Sequence, residues 1–259
     1  MDELPLVDNH SHLQHEKFDG IRDDVIKECE KRMRYVVVSG ANDIWNKKAV
    51  ELFSNKERFL ITLGIHPVDS IKLSEKEFEE ALEFIKQSSK KLKNLIGIGE
   101  IGLDYHWVKE KEKIEKMKER FIMQISLADE LRLPVITHSW DAEEDVIRIV
   151  SNHKKDNRVV MHCYGSPKHC EIIHEHGFLA AICTNITRSK NVKKVVKRLN
   201  LENMLTETDA PYLSPIPNEI NYPWNVKLTL EKIAEIKKIS IEEVANTIYK
   251  NFVEFYGLR

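Results

Sequence analysis

The sequence is short of cysteine, of net charge and of long apolar runs. Four cysteines occur in 259 residues (Cys29, Cys163, Cys170 and Cys183), and none forms a CxxC pair. That excludes a disulfide scaffold and a thiolate zinc ribbon, and it fits a reducing, cytoplasmic compartment. Forty Lys and Arg oppose 42 Asp and Glu, for a formal charge of −2. No basic excess points to nucleic acid, although a local basic groove is compatible with this balance. No apolar run approaches the roughly 20 residues that span a membrane. The opening Met1-Asp2-Glu3-Leu4 lacks the basic and apolar regions of a secretory signal. The first strand-to-helix turn, Asp8-Asn9-His10-Ser11-His12, carries no glycine fingerprint for a dinucleotide.

What is present is a globular alternation. Hydrophobic residues make up 42% of the chain, which excludes a disordered polymer. A chain of this length buries enough surface for one large core, so a single domain over residues 1–259 is expected. Eight strand-like runs stand out: Leu4–Asp8, Tyr35–Ser39, Phe59–Gly64, Leu95–Gly99, Leu133–Thr137, Arg158–Met161, Phe178–Cys183 and Met204–Glu207. Amphipathic stretches separate them. In Ser74–Ile85, the residues Phe78, Ala81, Leu82 and Ile85 share one helical face. Ser74 with Glu77, and Ser240 with Glu243, have the spacing of capping boxes. Ser166-Pro167 reads as a helix cap followed by proline at the first helical position. Lys109–Arg120 reads as a solvated helix face, and Pro211–Trp224 as a loop. Eight strand–helix units predict an α/β fold, a single (β/α)8 TIM-type barrel with a parallel sheet.

Active residues of such barrels sit at the C-terminal ends of strands. Here those ends carry His10 and His12, Glu100, His138, His162, and Asp209. His10 and His12 share a strand face, as do Ile98 with Glu100, Ile136 with His138, and Leu205 with Glu207 and Asp209. Four histidines and two carboxylates exceed one tetrahedral site and predict two divalent ions, zinc or manganese, with magnesium less suited on ligand softness. His10, His12 and Asp209 are expected to hold one ion, His138 and His162 the other, with Glu100 bridging. Cys163 follows His162 directly, and strand alternation turns it away as a packing residue. Glu207 reads either as a partner that orients a ligand histidine or a water, or as one half of a buried ion pair. Asp8 is expected to support His10 or His12 from below.

Six segments, in order and over nearly the whole chain, resemble the TatD family of metal-dependent deoxyribonucleases, within the amidohydrolase-like barrels. They are Val7-Asp8-Asn9-His10-Ser11-His12, Gly64-Ile65-His66-Pro67, Ile98-Gly99-Glu100-Ile101-Gly102-Leu103-Asp104-Tyr105, Leu133-Pro134-Val135-Ile136-Thr137-His138, Met161-His162-Cys163-Tyr164 and Leu205-Thr206-Glu207-Thr208-Asp209-Ala210-Pro211. The resemblance implies a metallo-dependent hydrolase barrel. It implies hydrolysis of DNA phosphodiesters, typically 3′→5′ on single strands, and metal binding by His10, His12, Glu100, His138, His162 and Asp209. It places His66 near the scissile phosphate. Two departures touch the substrate side. Ser139-Trp140-Asp141 stands where the family often has an arginine and an acid, and Tyr222-Pro223-Trp224-Asn225 replaces an Arg-Asn-Glu-Pro-like segment.

Asp209 is then the expected general base, with Glu100 and His66 completing the catalytic set. Tyr105, Trp107, Trp140, Tyr164, Tyr212, Tyr222 and Trp224 follow strands and offer either stacking faces for single-stranded DNA or packing for the barrel rim. Of these, Tyr105, Trp140 and Tyr164, with His66, are the expected substrate contacts. Arg188, Lys190, Lys193 and Lys194 suit either a backbone groove or a solvated helix start. A monomer with DNA as partner is expected, with no membrane and no obligate protein partner. The same ions and base also suit a small-molecule amidohydrolase acting on a C–N or ester bond, or a non-catalytic metal-dependent nucleic-acid-binding module.

Overall fold

The computed structural model describes residues 4–258, so the Met1-Asp2-Glu3 segment considered above lies outside the described residues. Strands and helices alternate: β1 (Val7–Ser11), α1 (Arg22–Arg32), β2 (Tyr35–Ser39), α2 (Asp43–Phe53), β3 (Phe59–Leu63), α3 (Pro67–Ser70), α4 (Glu75–Ser89), β4 (Leu95–Asp104), α5 (Lys111–Leu131), β5 (Val135–Trp140), α6 (Glu143–His153), β6 (Val159–Met161), α7 (Cys170–Glu175), β7 (Leu179–Cys183), α8 (Lys190–Arg198), β8 (Met204–Glu207), α9 (Val226–Lys237) and α10 (Ile241–Tyr256). The strand order in the sheet is the sequence order, β1 to β8. This is the (β/α)8 barrel fold that the alternation predicts. The strands are buried along nearly their whole length, which is why they read as continuous apolar runs. Among the described residues, no helix is long and apolar enough to cross a membrane.

Two compact units make up the chain: one runs up to Val38 and resumes at Cys163, the other is Ser39–His162. In the first, β7 pairs with β8 from Ala180↔Met204 to Cys183↔Glu207, and β1 with β2 from Val7↔Tyr35. β8 lies beside β1, where Thr206 Oγ1 donates to the Val7 carbonyl (3.1 Å) and the Asp209 N–H to the His10 carbonyl (2.9 Å). In the second unit, β3 to β6 pair in order.

Three strands run beyond their expected ends, and β3 stops one residue short, at Leu63. β1 extends to Ser11, so His10 lies inside the strand. β5 extends to Trp140, which puts His138 inside it. β4 runs on past Gly99 to Asp104, pairing Ile101–Asp104 with Thr137–Trp140 after an irregularity beyond Ile98. Gly102 makes that close pairing possible. Its φ is +146°, and a Cβ there would sit 2.1 Å from the His138 carbonyl oxygen.

Ser74 and Glu77 form the expected reciprocal capping box at the start of α4. At Ser240 only the serine half is present, accepting the Glu243 N–H at 3.1 Å. Ser166 makes no side-chain cap. Pro167 opens a short 3-10 turn instead, and α7 begins at Cys170. Arg120 is the exception to a solvated α5 face. It is buried and donates to the Ser70 and Leu73 carbonyls and to Glu75 (2.7 Å), bracing the turn between α3 and α4. Beneath it, Phe78 packs with Ile65, Ala81, Leu73 and Leu82. Gln124 clamps Ile65 from both sides, accepting its N–H (2.8 Å) and donating to its carbonyl (3.1 Å). These contacts fix the backbone one residue before His66. Phe78→Ala is therefore expected to lower unfolding free energy by about 3–5 kcal/mol, read from denaturant midpoints. A change under about 1 kcal/mol would show that α4 does not depend on this packing.

Candidate metal centre

In the first unit, the donor set is built on the β8–β1 seam. Asp8 is fully buried and accepts three hydrogen bonds: from Thr208 N–H (2.8 Å), Thr208 Oγ1 (2.6 Å) and His10 N–H (3.3 Å). Burial pushes its carboxyl well above the usual range despite these bonds. Asp8 therefore acts on the His10 backbone and on Thr208, where a contact to an imidazole ring was expected. Directly above, the Nε2 atoms of His10 and His12 lie 3.1 Å apart, with the rings edge to face. Asp209 Oδ1 lies 3.7 Å from His10 Nε2 and 3.4 Å from His12 Nε2. Asp209 has left the strand with φ +58°, a conformation Asp tolerates better than most residues. His10, His12 and Asp209 thus offer ligand atoms all within 4.8 Å of one another.

Glu207 is fully buried and accepts the backbone N–H of Cys163. Cys163 itself has φ +46°, so simple alternation does not describe it. Its sulfur lies 3.8 Å from Asn185 Nδ2.

In the second unit, Glu100 Oε1 lies 2.7 Å from His138 Nδ1, 3.7 Å from His162 Nε2 and 3.8 Å from His66 Nε2. His138 Nε2 reaches Asp104 Oδ2 at 3.0 Å, and Asp104 Oδ1 accepts the Trp107 N–H at 2.8 Å. His66, Asp104 and His138 form a second group within 4.8 Å. Asp104 was not anticipated as a site residue. The sign was present, since 100, 102 and 104 share a strand face, but it is visible only once β4 is known to continue past Gly99. The approach of His66 depends on Gly64, where a Cβ would lie 2.7 Å from the Gly99 carbonyl carbon.

The two neighbouring imidazoles titrate apart. Their rings are edge to face with centroids 4.4 Å apart. Burial works against a charged His138, but hydrogen bonds to Asp104 and Glu100 outweigh it and raise its pKa to about 9. Burial, and then the charge of His138, lower His66 to about 4. For Asp104, burial opposes ionisation, but the bonds from His138 and Trp107 hold it below the usual carboxylate range.

Imidazole and carboxylate donors without thiolate fit divalent cations of intermediate hardness, and both groups are compact enough to share an ion.

The surrounding aromatics divide. Tyr164 is 1% exposed, so it presents no stacking face; its N–H is committed to the Ala181 carbonyl. Tyr105 is half-buried and donates its hydroxyl to Asp145. Tyr222 and Trp224 stack on each other at 4.7 Å, with Arg32 over Trp224. Trp140 stays 47% exposed. Arg188 and Lys193 donate to the carbonyls of Ser214 (2.7 Å) and Thr187 (3.1 Å), as expected at a helix start.

Comparison with known proteins follows the same lines. The chain is 37% identical to an uncharacterized metal-dependent hydrolase of Methanocaldococcus jannaschii, covering all of both chains. It is 32% identical to the deoxyribonuclease TATDN3 of Homo sapiens, over 97% of this chain and 94% of that one. A TatD homologue of Escherichia coli, YjjV, superposes with a TM-score of 0.87 at 22% identity, over 98% of each chain, and shares the fold. The family model for TatD related DNase matches residues 7–257. The chain belongs to the TatD family of metal-dependent hydrolases.

Proposed function

We propose that this hydrolase is a deoxyribonuclease that cleaves phosphodiester bonds of single-stranded DNA from the 3′ end. The observation that carries the reading is the compact donor group His10–His12–Asp209 and, in the second unit, the carboxylates of Glu100 and Asp104 against the two ring nitrogens of His138 at 2.7 and 3.0 Å. The name of the human relative supports DNA as the substrate. His162, 3.7 Å from Glu100 Oε1, would complete the ligand set of the second unit. We also take the chain as one domain, since the family match runs unbroken over residues 7–257, and as a cytoplasmic monomer.

Divalent ions at these groups supply Lewis-acid polarisation of the phosphodiester and a water acidified toward neutral pH. Asp209 accepts the proton of the attacking water, since its carboxylate lies beside His10 and His12 at the end of β8. Asp8 holds the backbone on both sides of that carboxylate. His66 serves as a neutral donor to a phosphoryl oxygen. Its Nδ1 accepts the Val68 N–H at 3.3 Å, which leaves the proton on Nε2. With its pKa near 4, it stays neutral at working pH.

A second reading, hydrolysis of a small C–N or ester substrate, is favoured by one observation: Ser139 and Trp140 stand where the family often has an arginine followed by an acid. Purified protein offered labelled single-stranded DNA and a panel of amides and esters separates the two. Release of 3′-terminal nucleotides is expected. Turnover confined to the small-substrate panel would reverse the assignment.

Exhaustive chelation should abolish hydrolysis and added divalent metal should restore it; activity that survives removal of all metal would refute the mechanism. Asp209→Asn should keep its melting temperature while kcat falls about 100-fold or more, and a near-normal rate would remove Asp209 as the base. His138 binds a metal only as the neutral imidazole. With a pKa near 9, it is mostly protonated at pH 7, so the metal must displace a proton. Affinity at that group should therefore rise with pH, by up to about tenfold per unit, and level off above about pH 9. Manganese titrations followed by electron paramagnetic resonance between pH 6.5 and 9.5 test this, and a flat profile would show that His138 holds no proton for the metal to displace.

A further inference from the structure

Beside the ligand group of the second unit lie three rings that the hydrolytic machinery does not use. His106 lies flat on Trp140, with centroids 4.1 Å apart and 10° between the planes. Trp107 stands edge-on to both, at 5.0 Å from His106 and 6.1 Å from Trp140. Trp107 is 67% exposed and Trp140 47%. Large apolar rings gain when they leave water, so two indoles held this open on adjoining segments mark a surface that a ligand covers.

Polar bonds anchor the backbone of the two tryptophans and the ring of His106. Asp104 accepts the Trp107 N–H at 2.8 Å. The Trp140 carbonyl accepts the Tyr105 N–H at 2.9 Å. Asp141 Oδ2 lies 3.2 Å from His106 Nδ1. A carboxylate only accepts, so His106 carries a proton on Nδ1 and its ring plane is held parallel to Trp140. These anchors are continuous with the metal-ligating residues. Trp140 follows His138 by two positions on β5, and Trp107 follows Asp104 by three. The rings therefore stand on the segments that leave His138 and Asp104.

We propose that His106, Trp107 and Trp140 form a stacking platform for one unpaired nucleobase of the strand being cleaved. The inference rests on the nuclease reading and deepens it. A π-face is common to all four bases, so such a platform holds a strand without reading its sequence. A base in a duplex has both faces covered, so the platform also selects for single strands. It supplies substrate contact without the arginine that the segment after His138 lacks.

Trp107→Ala, Trp140→Ala and the conservative Trp107→Phe, each checked for unchanged melting temperature, test the proposal. The substrates are a labelled single-stranded oligonucleotide and a series in which one abasic nucleotide is walked through the last few positions. In the alanine variants KM should rise about tenfold, with the effect falling on KM rather than kcat. Trp107→Phe should recover most of the loss. An abasic nucleotide at one position should raise KM of the unmodified protein by a similar factor and erase its difference from the variants. KM values within about twofold of one another, or a penalty in the variants that persists at every abasic position, would overturn the platform. If the unmodified protein cleaves no oligonucleotide, the nuclease reading fails on its own. Quenching of tryptophan fluorescence by the same oligonucleotides then decides the platform separately. Quenching lost at one abasic position supports it, and no quenching refutes it.

Discussion

The first donor group depends on one buried carboxylate. Asp8 takes the N–H and hydroxyl of Thr208 and the N–H of His10. It thereby joins the last strand to the first beneath the three donors. An acceptor sealed away from water is expensive unless its bonds are made, and two short bonds to Thr208 with a longer one to His10 leave little room to slide. His10 sits one residue from the seam on β1, and Asp209 follows Thr208 on the other side. The ligand spacing is thus set by backbone held to Asp8, and not by contact between the ligand side chains alone.

The second group depends on close approach instead. Gly102 lets β4 run against β5 past the point where any side chain would collide with the His138 carbonyl. That extra length carries Asp104 to His138, and it carries Trp107 and Trp140 on to the rim. A residue with no side chain therefore determines where two side-chain functions meet.

Much of this was legible from residue order. The eight apolar runs mark the eight strands because strands buried on both faces must be apolar throughout. His10, His12 and Asp209 were legible as a group because polar residues at strand ends stand out against apolar neighbours at a spacing of two. The rest was hidden wherever a strand ran further than its apolar run. Leu95–Gly99 reads as a finished strand, since Glu100 looks like a terminus. The continuation to Asp104 depends on tertiary pairing that tolerates the irregularity after Ile98. For that reason the apolar run by itself does not single out Asp104 as a neighbour of His138. Tyr164 failed differently. A loop position after a strand suggests exposure, but its backbone is drawn in by the Ala181 carbonyl and the ring follows.

The divergence of His66 and His138 follows from the same crowding. Two imidazoles 4.4 Å apart resist carrying charge together, and the surroundings decide which one does. His138 touches two carboxylates and keeps its proton. His66 touches a backbone donor through Nδ1 and stays neutral. Glu100 and Asp104 face opposite nitrogens of the His138 ring, at 2.7 Å from Nδ1 and 3.0 Å from Nε2, so the imidazole stands between the two carboxylates. The proton on His138 supplies the positive charge that these carboxylates are arranged around. A divalent ion at this group would have to displace that proton, because only the neutral imidazole offers its ring nitrogen to a metal.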